Sequence, residues 1–123
     1  MTDSTVTITI GLTDLDIEDN VRDRQTQNLV YDLRDMEIDS ACRVIDPNPP
    51  AGNKALGGFI VGLLTAEVSI ENIQHVFGFL GDRLSGKAIE LEVEANGKRL
   101  RVSANSQTEL AAAIEAAQQF VAA

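Results

Sequence analysis

At 123 residues the chain is one domain's worth, and a hydrophobic content of 44% with a mean hydropathy of −0.03 argues against global disorder and for a real core. A net charge of −9 and a pI near 4.4 repel polyanions, which excludes nucleic acid and anionic membrane surfaces as general partners. One cysteine, Cys42, excludes an internal disulfide, and the opening MTDSTVTITI has no basic segment followed by a long apolar one, so a cytoplasmic, reducing setting is expected.

Residues 5–10 alternate Val6, Ile8 and Ile10 against Thr5, Thr7 and Thr9, the period of a strand with one core face. Gly11 ends it. Asp14 and Asp16 then offer N-cap oxygens to a helix in which Ile17, Val21, Leu29, Leu33 and Met36 recur at helical spacing to about Glu37. Residues 38–46 lose that stripe, and Cys42, Val44 and Ile45 predict a second strand. Pro47, Pro49 and Pro50 forbid helix and central strand, so 46–58 reads as a loop rich in Pro and Gly. The uncharged stretch 55–66 is far short of the roughly 20 apolar residues a membrane span needs, and predicts a buried helix. Ser69 caps a further helix with the stripe Ile70, Ile73, Phe77, Leu80 and Leu84, and Gly86 closes it; one kinked helix and two separate helices both fit 55–85.

Ile89, Leu91 and Val93 alternate with Glu90, Glu92 and Glu94; Asn96-Gly97 comes next, then Leu100 and Val102 alternating with Arg99 and Arg101. Asn-Gly is the signature of a two-residue type I′ hairpin loop. That loop sets Ala95 against Lys98, Glu94 against Arg99, Val93 against Leu100, Glu92 against Arg101 and Leu91 against Val102, with apolar pairs on one face and opposite charges on the other. Ser106 and Glu109 form a capping box for a last helix striped by Leu110, Ile114, Ala117 and Val121. The expected fold is a single α+β domain over 1–123: a mixed four-stranded sheet with helices on one face, in the order β-α-β-α(α)-β-β-α. With four Phe, one Tyr and no Trp, the core is aliphatic, and Phe59, Phe77, Phe79 and Phe120 are its large pieces.

The groups with chemical potential each have a structural use. His75 is the only histidine, and a zinc site around it needs carboxylates to complete the set; a surface histidine is the simpler reading. A Cys42–His75 nucleophile pair stands in no recognisable catalytic motif. The acidic run from Asp14 fails as a calcium loop, because its sixth position is Asp19 instead of Gly and its twelfth is Gln25 instead of Glu. Glu90, Glu92 and Glu94 read as a charge ladder with Arg99 and Arg101. The most distinctive stretch is the loop 47–58, whose Pro49, Pro50, Gly52, Lys54, Gly57 and Gly58 are the candidate partner contacts. Glycines before a helix N-terminus also suit a phosphate, although neither nucleotide fingerprint is matched. No catalytic, cofactor-binding or metal-binding residue is assigned.

Pro-Pro-Ala-Gly with a nearby Lys and Gly-Gly, the apolar segment after it, the hairpin 89–102 and SQTEL at 106–110 together resemble the effector-associated constant component family of predicted bacterial conflict (immunity) systems, over nearly the whole chain. The resemblance implies a small non-catalytic protein without a cofactor, encoded beside effectors such as trypsin-like or caspase-like proteases or NTPase-linked modules, and connecting recognition to effector activation. Two other classes stand beside this reading. One is a small-ligand sensor binding an anion or nucleotide at the loop; the other is an enzyme using Cys42 or His75. Self-association into a homodimer or larger assembly is also expected, through glycine-containing apolar helices at 59–66 and 77–84.

Overall fold

The computed structural model describes residues 5–36, 38–45, 55–56 and 58–122. The elements are β1 (Thr5–Leu12), α1 (Asp19–Arg34), β2 (Ser40–Ile45), β3 (Ala55–Leu56), β4 (Phe59–Ser69), α2 (Ile73–Arg83), β5 (Ile89–Ala95), β6 (Lys98–Ala104) and α3 (Gln107–Ala122). The main sheet runs β2-β4-β1-β5-β6, with β3 paired to β4 beside it, and every neighbouring pair is antiparallel.

The fold is α+β as expected, but the sheet is neither mixed nor four-stranded. A β-α-β unit usually leaves its two strands side by side and parallel. Here β1 and β2, joined by α1, do run parallel, but β4 lies between them and is antiparallel to both. The stretch expected as a buried helix is that central strand. Even positions Gly62, Leu64, Ala66 and Val68 are buried on the helix side, while Val61, Leu63 and Thr65 keep partial exposure on the other. Apolar residues on both faces erase the period of two, and a short apolar run does not separate helix from strand. Hydrogen-bonding partners on both edges decided it.

Val6, Ile8, Ile10, Leu64, Val68, Leu91 and Val93 form one inner face, and Leu29, Leu33, Phe77, Leu80, Leu110 and Ile114 close over it from the three helices. Fully burying each of these large side chains contributes about 1.5–3 kcal/mol. Of the four phenylalanines only Phe77 is fully buried; Phe79 and Phe120 pack at the margin, and Phe59 is half-buried. The opposite face of the sheet, carrying Thr7, Thr9, Glu92, Glu94, Arg99 and Arg101, has no helix over it among the described residues.

The hairpin has the predicted register at all five pairs, with Asn96 at φ 56° and Gly97 at φ 77° in its loop. The Ser106 half of the capping box forms, with the Glu109 amide donating to Ser106 Oγ at 3.1 Å, while Glu109 Oε1 in return accepts the amide of Asn105, one residue before the N-cap, at 2.7 Å. The other two helix starts differ from expectation. α1 begins at Asp19 and its buried stripe is Arg22, Thr26, Leu29, Val30 and Leu33, so Ile17 and Val21 lie off it. α2 begins at Ile73 with Asn72 at its N-cap, and Ser69 ends β4 instead of capping a helix.

Candidate functional site

β1 and β2 finish, and β4 and β5 begin, at one end of the sheet. The turn after β1, the β3–β4 hairpin and the connection into β5 therefore converge there, where β2 also finishes. Phe59 pairs with Ile45 of β2 on one edge, so β3, which pairs Leu56 with Phe59, must take the other edge, in line with β1. The loop singled out in the sequence thus returns to the sheet as a short strand. Of its six candidate contacts, Pro49, Pro50, Gly52, Lys54 and Gly57 lie outside the described residues; Gly58 is exposed in the hairpin turn at φ +85°. Gly58 leads into β4, a strand, so no helix dipole stands behind these glycines to favour a phosphate.

Two buried arginines hold this end together. Arg22 of α1 donates from Nη1 to the Asp14 carbonyl and from Nη2 to Asp19 Oδ1, both at 3.1 Å. Arg43 of β2 is ion-paired with Asp23, donates to Gln27 Oε1 at 3.3 Å and to the Ile60 carbonyl at 3.5 Å, and lies 5.0 Å from the Phe59 ring centroid. The two side chains are 6% and 4% exposed, and the Nε of each has no protein partner among the described residues. Burial of a guanidinium is tolerated only with charge-assisted bonds of this kind, because removing one partner strands a buried charge. Gly62 makes room for the first: a Cβ there would stand 2.8 Å from the Leu12 carbonyl oxygen and 3.3 Å from Arg22 Nε, and its φ is +83°.

The clamp presents apolar side chains outward. Asp14 accepts the Asp16 amide at 3.0 Å on its carboxylate and the Ile17 amide at 3.3 Å on its carbonyl, the same carbonyl that Arg22 holds. Asp14 thereby fixes the turn before α1 instead of capping the helix, whose N-cap is Glu18. Leu15 rides on that turn at 79% exposure, and Ile45 ends β2 at 67%. Asp16 and Glu18 are exposed and Asp14, Asp19 and Asp23 half-buried, so the anchors have an acidic rim.

Cys42 and His75 are on opposite sides of the sheet. Ala41 and Arg43 turn in toward the helices, which puts exposed Cys42 on the open face, while exposed His75 is on α2, on the helix side, in a hollow of about 250 Å³ with Asp35, Met36 and Asn72. The sheet between them prevents a nucleophile–base pair. Among the described residues no three His, Cys, Asp or Glu side chains converge on a metal-sized position, and no helix is long and apolar enough to cross a membrane. The expected self-association surface at 59–66 is a central strand, so it offers no helix to pair.

Sequence reasoning passed over Arg22 and Arg43. The signal for Arg43 was present, since strand alternation puts it on the same face as Ala41. Arg22 is legible only once the stripe is phased on Leu29, Val30 and Leu33, because Arg22 and Thr26 then fall at the same face. No family model, no curated protein and no solved structure matches the chain.

Proposed function

We propose that the chain is a non-catalytic adaptor of a bacterial conflict system, linking recognition to a protease-like or NTPase-linked effector through protein–protein contacts at the loop end of the sheet. The observation that carries this reading is the pair Leu15 and Ile45, two large aliphatic side chains exposed to water at the end of the sheet where Arg22 and Arg43 are buried. A lone exposed leucine is ordinary. Two of them at one end of a sheet, one on a turn whose Asp14 carbonyl is held by a buried arginine, form an apolar pair that a partner can cover. The resemblance carried by Pro49 to Gly58 supports the same end, because that loop leaves from Ile45 and returns through β3. The acidic rim favours a partner with basic residues around an apolar pocket.

The test is affinity capture from the native host with the wild-type chain, Leu15→Asp and Ile45→Asp. A protease-like or NTPase-linked protein is expected with the wild type and is lost with both variants, whose far-UV circular dichroism and thermal midpoint stay unchanged because neither side chain is in the core. Capture of nothing but the chain itself by the wild type overturns the reading.

A further inference from the structure

The open face of the sheet has a dent at Gly11. Gly11 lies on β1 between Leu63 of β4 and Glu90 of β5, its Cα partners, with Thr9 next along the same face. The hollow holds about 260 Å³ and is bounded by Thr9, Leu63, Glu90, Glu92 and Arg101. Nothing in the backbone requires glycine there. Its φ is not positive, and a Cβ would sit 3.7 Å from Leu63 Cδ1, 3.8 Å from Glu90 Cβ and 3.9 Å from Thr13 Cγ2, all ordinary contacts. A strand glycine loses backbone entropy on folding and packs nothing, and close approach by a ligand or another backbone is one of the recurring reasons for keeping one.

The charge ladder beside the dent is unbalanced. Glu94 faces Arg99 and Glu92 faces Arg101, but Glu90 faces Ser103. Arg99 reaches Glu92 at 2.9 Å and Glu94 at 3.5 Å, and Arg101 reaches Glu92 at 2.9 Å, while Glu90 has no ion pair or hydrogen bond from its side chain among the described residues. The hollow therefore has an apolar wall at Leu63, a flat floor at Gly11 and, in Glu90, a carboxylate that feels the Arg101 charge across the hollow but is in contact with no cation among the described residues.

We propose that this dent receives a lysine side chain of a partner protein, its methylenes lying over Gly11 against Leu63 and its ammonium on the Glu90 carboxylate. A straight stem with a compact charged head suits a hollow with an apolar wall and a single carboxylate beyond it, whereas the planar fork of arginine gains most from a bidentate site free of a competing guanidinium, and Arg101 stands at this rim. The proposal rests on the reading of the chain as a protein-binding module, and adds a second contact on a different surface.

The test needs no native partner, so its outcome is separable from that of the capture experiment. The full chain is titrated with Nα-acetyl-lysine N-methylamide at fixed ionic strength and followed by amide shifts in two-dimensional NMR, with the neutral norleucine analogue as control. Saturable shifts at Thr9, Gly11, Leu63 and Glu90 are expected, with norleucine and the Glu90→Gln variant each weaker by roughly tenfold or more. Gly11→Val, which fills the hollow, abolishes the shifts; Glu90→Gln, on an exposed position, keeps the fold and so reads the charge alone. Absence of saturable shifts in the wild type, equal binding by norleucine, tighter binding by the arginine analogue, or wild-type binding by Glu90→Gln overturns the proposal.

Discussion

Replacing Gly62 and Gly11 in turn by alanine separates a glycine held by geometry from one that is not. Both lie in strands, both are buried, and sequence alone does not tell them apart. At Gly62 the φ of +83° puts an alanine in the left-handed region, which costs about 1–2 kcal/mol. Its Cβ also meets the Leu12 carbonyl oxygen at 2.8 Å, and because that atom is backbone the end of β1 must move, adding about 1–2 kcal/mol. The sum is about 2–4 kcal/mol, a large share of the 5–15 kcal/mol that holds a domain together. At Gly11 the new methyl finds contacts of 3.7–3.9 Å and an ordinary backbone; the unfolded chain loses freedom and the protein gains up to about 1 kcal/mol. Urea denaturation read by circular dichroism measures both. For a domain of this size each kcal/mol moves the thermal midpoint by about 3–6 °C, so Gly62→Ala falls by about 6–24 °C while Gly11→Ala stays level or rises. A cost below about 0.5 kcal/mol at Gly62, or equal costs at the two positions, refutes the reasoning.

Asp23→Ala leaves Arg43 buried without its carboxylate and costs about 3 kcal/mol, whereas Arg43→Met leaves a partly exposed Asp23 that water can reach and costs less; chemical denaturation of the two variants checks the asymmetry. Ser106→Ala removes the oxygen that accepts the Glu109 amide and costs about 1 kcal/mol, read as earlier melting. Gly97→Ala puts a side chain at φ 77° in the hairpin loop and costs about 1–2 kcal/mol, with Asn96 and its neighbours losing amide-exchange protection first. Glu92→Gln breaks the bonds to Arg99 and Arg101 but changes stability by less than about 1 kcal/mol because the arginines are exposed; the small effect shrinks further in high salt.

The short-range features were legible in the residues. β1 and the β5–β6 hairpin announce themselves by alternation, and the hairpin's register comes from Asn96-Gly97 because a two-residue loop leaves one way to pair the strands. α3 is likewise written in its capping box and its stripe. Each of these depends on contacts within about twenty residues, where turn chemistry and side-chain period suffice. The candidate contacts at Pro49 to Gly58 were legible as an unusual loop, and the end of the sheet from which that loop departs was not.

What only the tertiary structure decided is the state of residues 59–69 and everything that hangs on it. That segment has no helical or strand period of its own, since apolar residues stand on both of its faces, and its conformation is settled by hydrogen bonds from β1 on one side and β2 on the other. Those partners lie some fifty residues earlier for β1, with Thr65 paired to Thr9, and about twenty for β2, with Thr65 paired to Cys42. Once β4 takes the slot between β1 and β2, the sheet becomes antiparallel throughout and Gly62 meets Leu12. Arg22 and Arg43 are then enclosed at the end where Leu15 and Ile45 emerge. The same pairing sets Leu63 and Glu90 on either side of Gly11. The acidic character read from composition belongs to the sequence; the two surfaces on which partners are expected belong to the register of strands far apart in the chain.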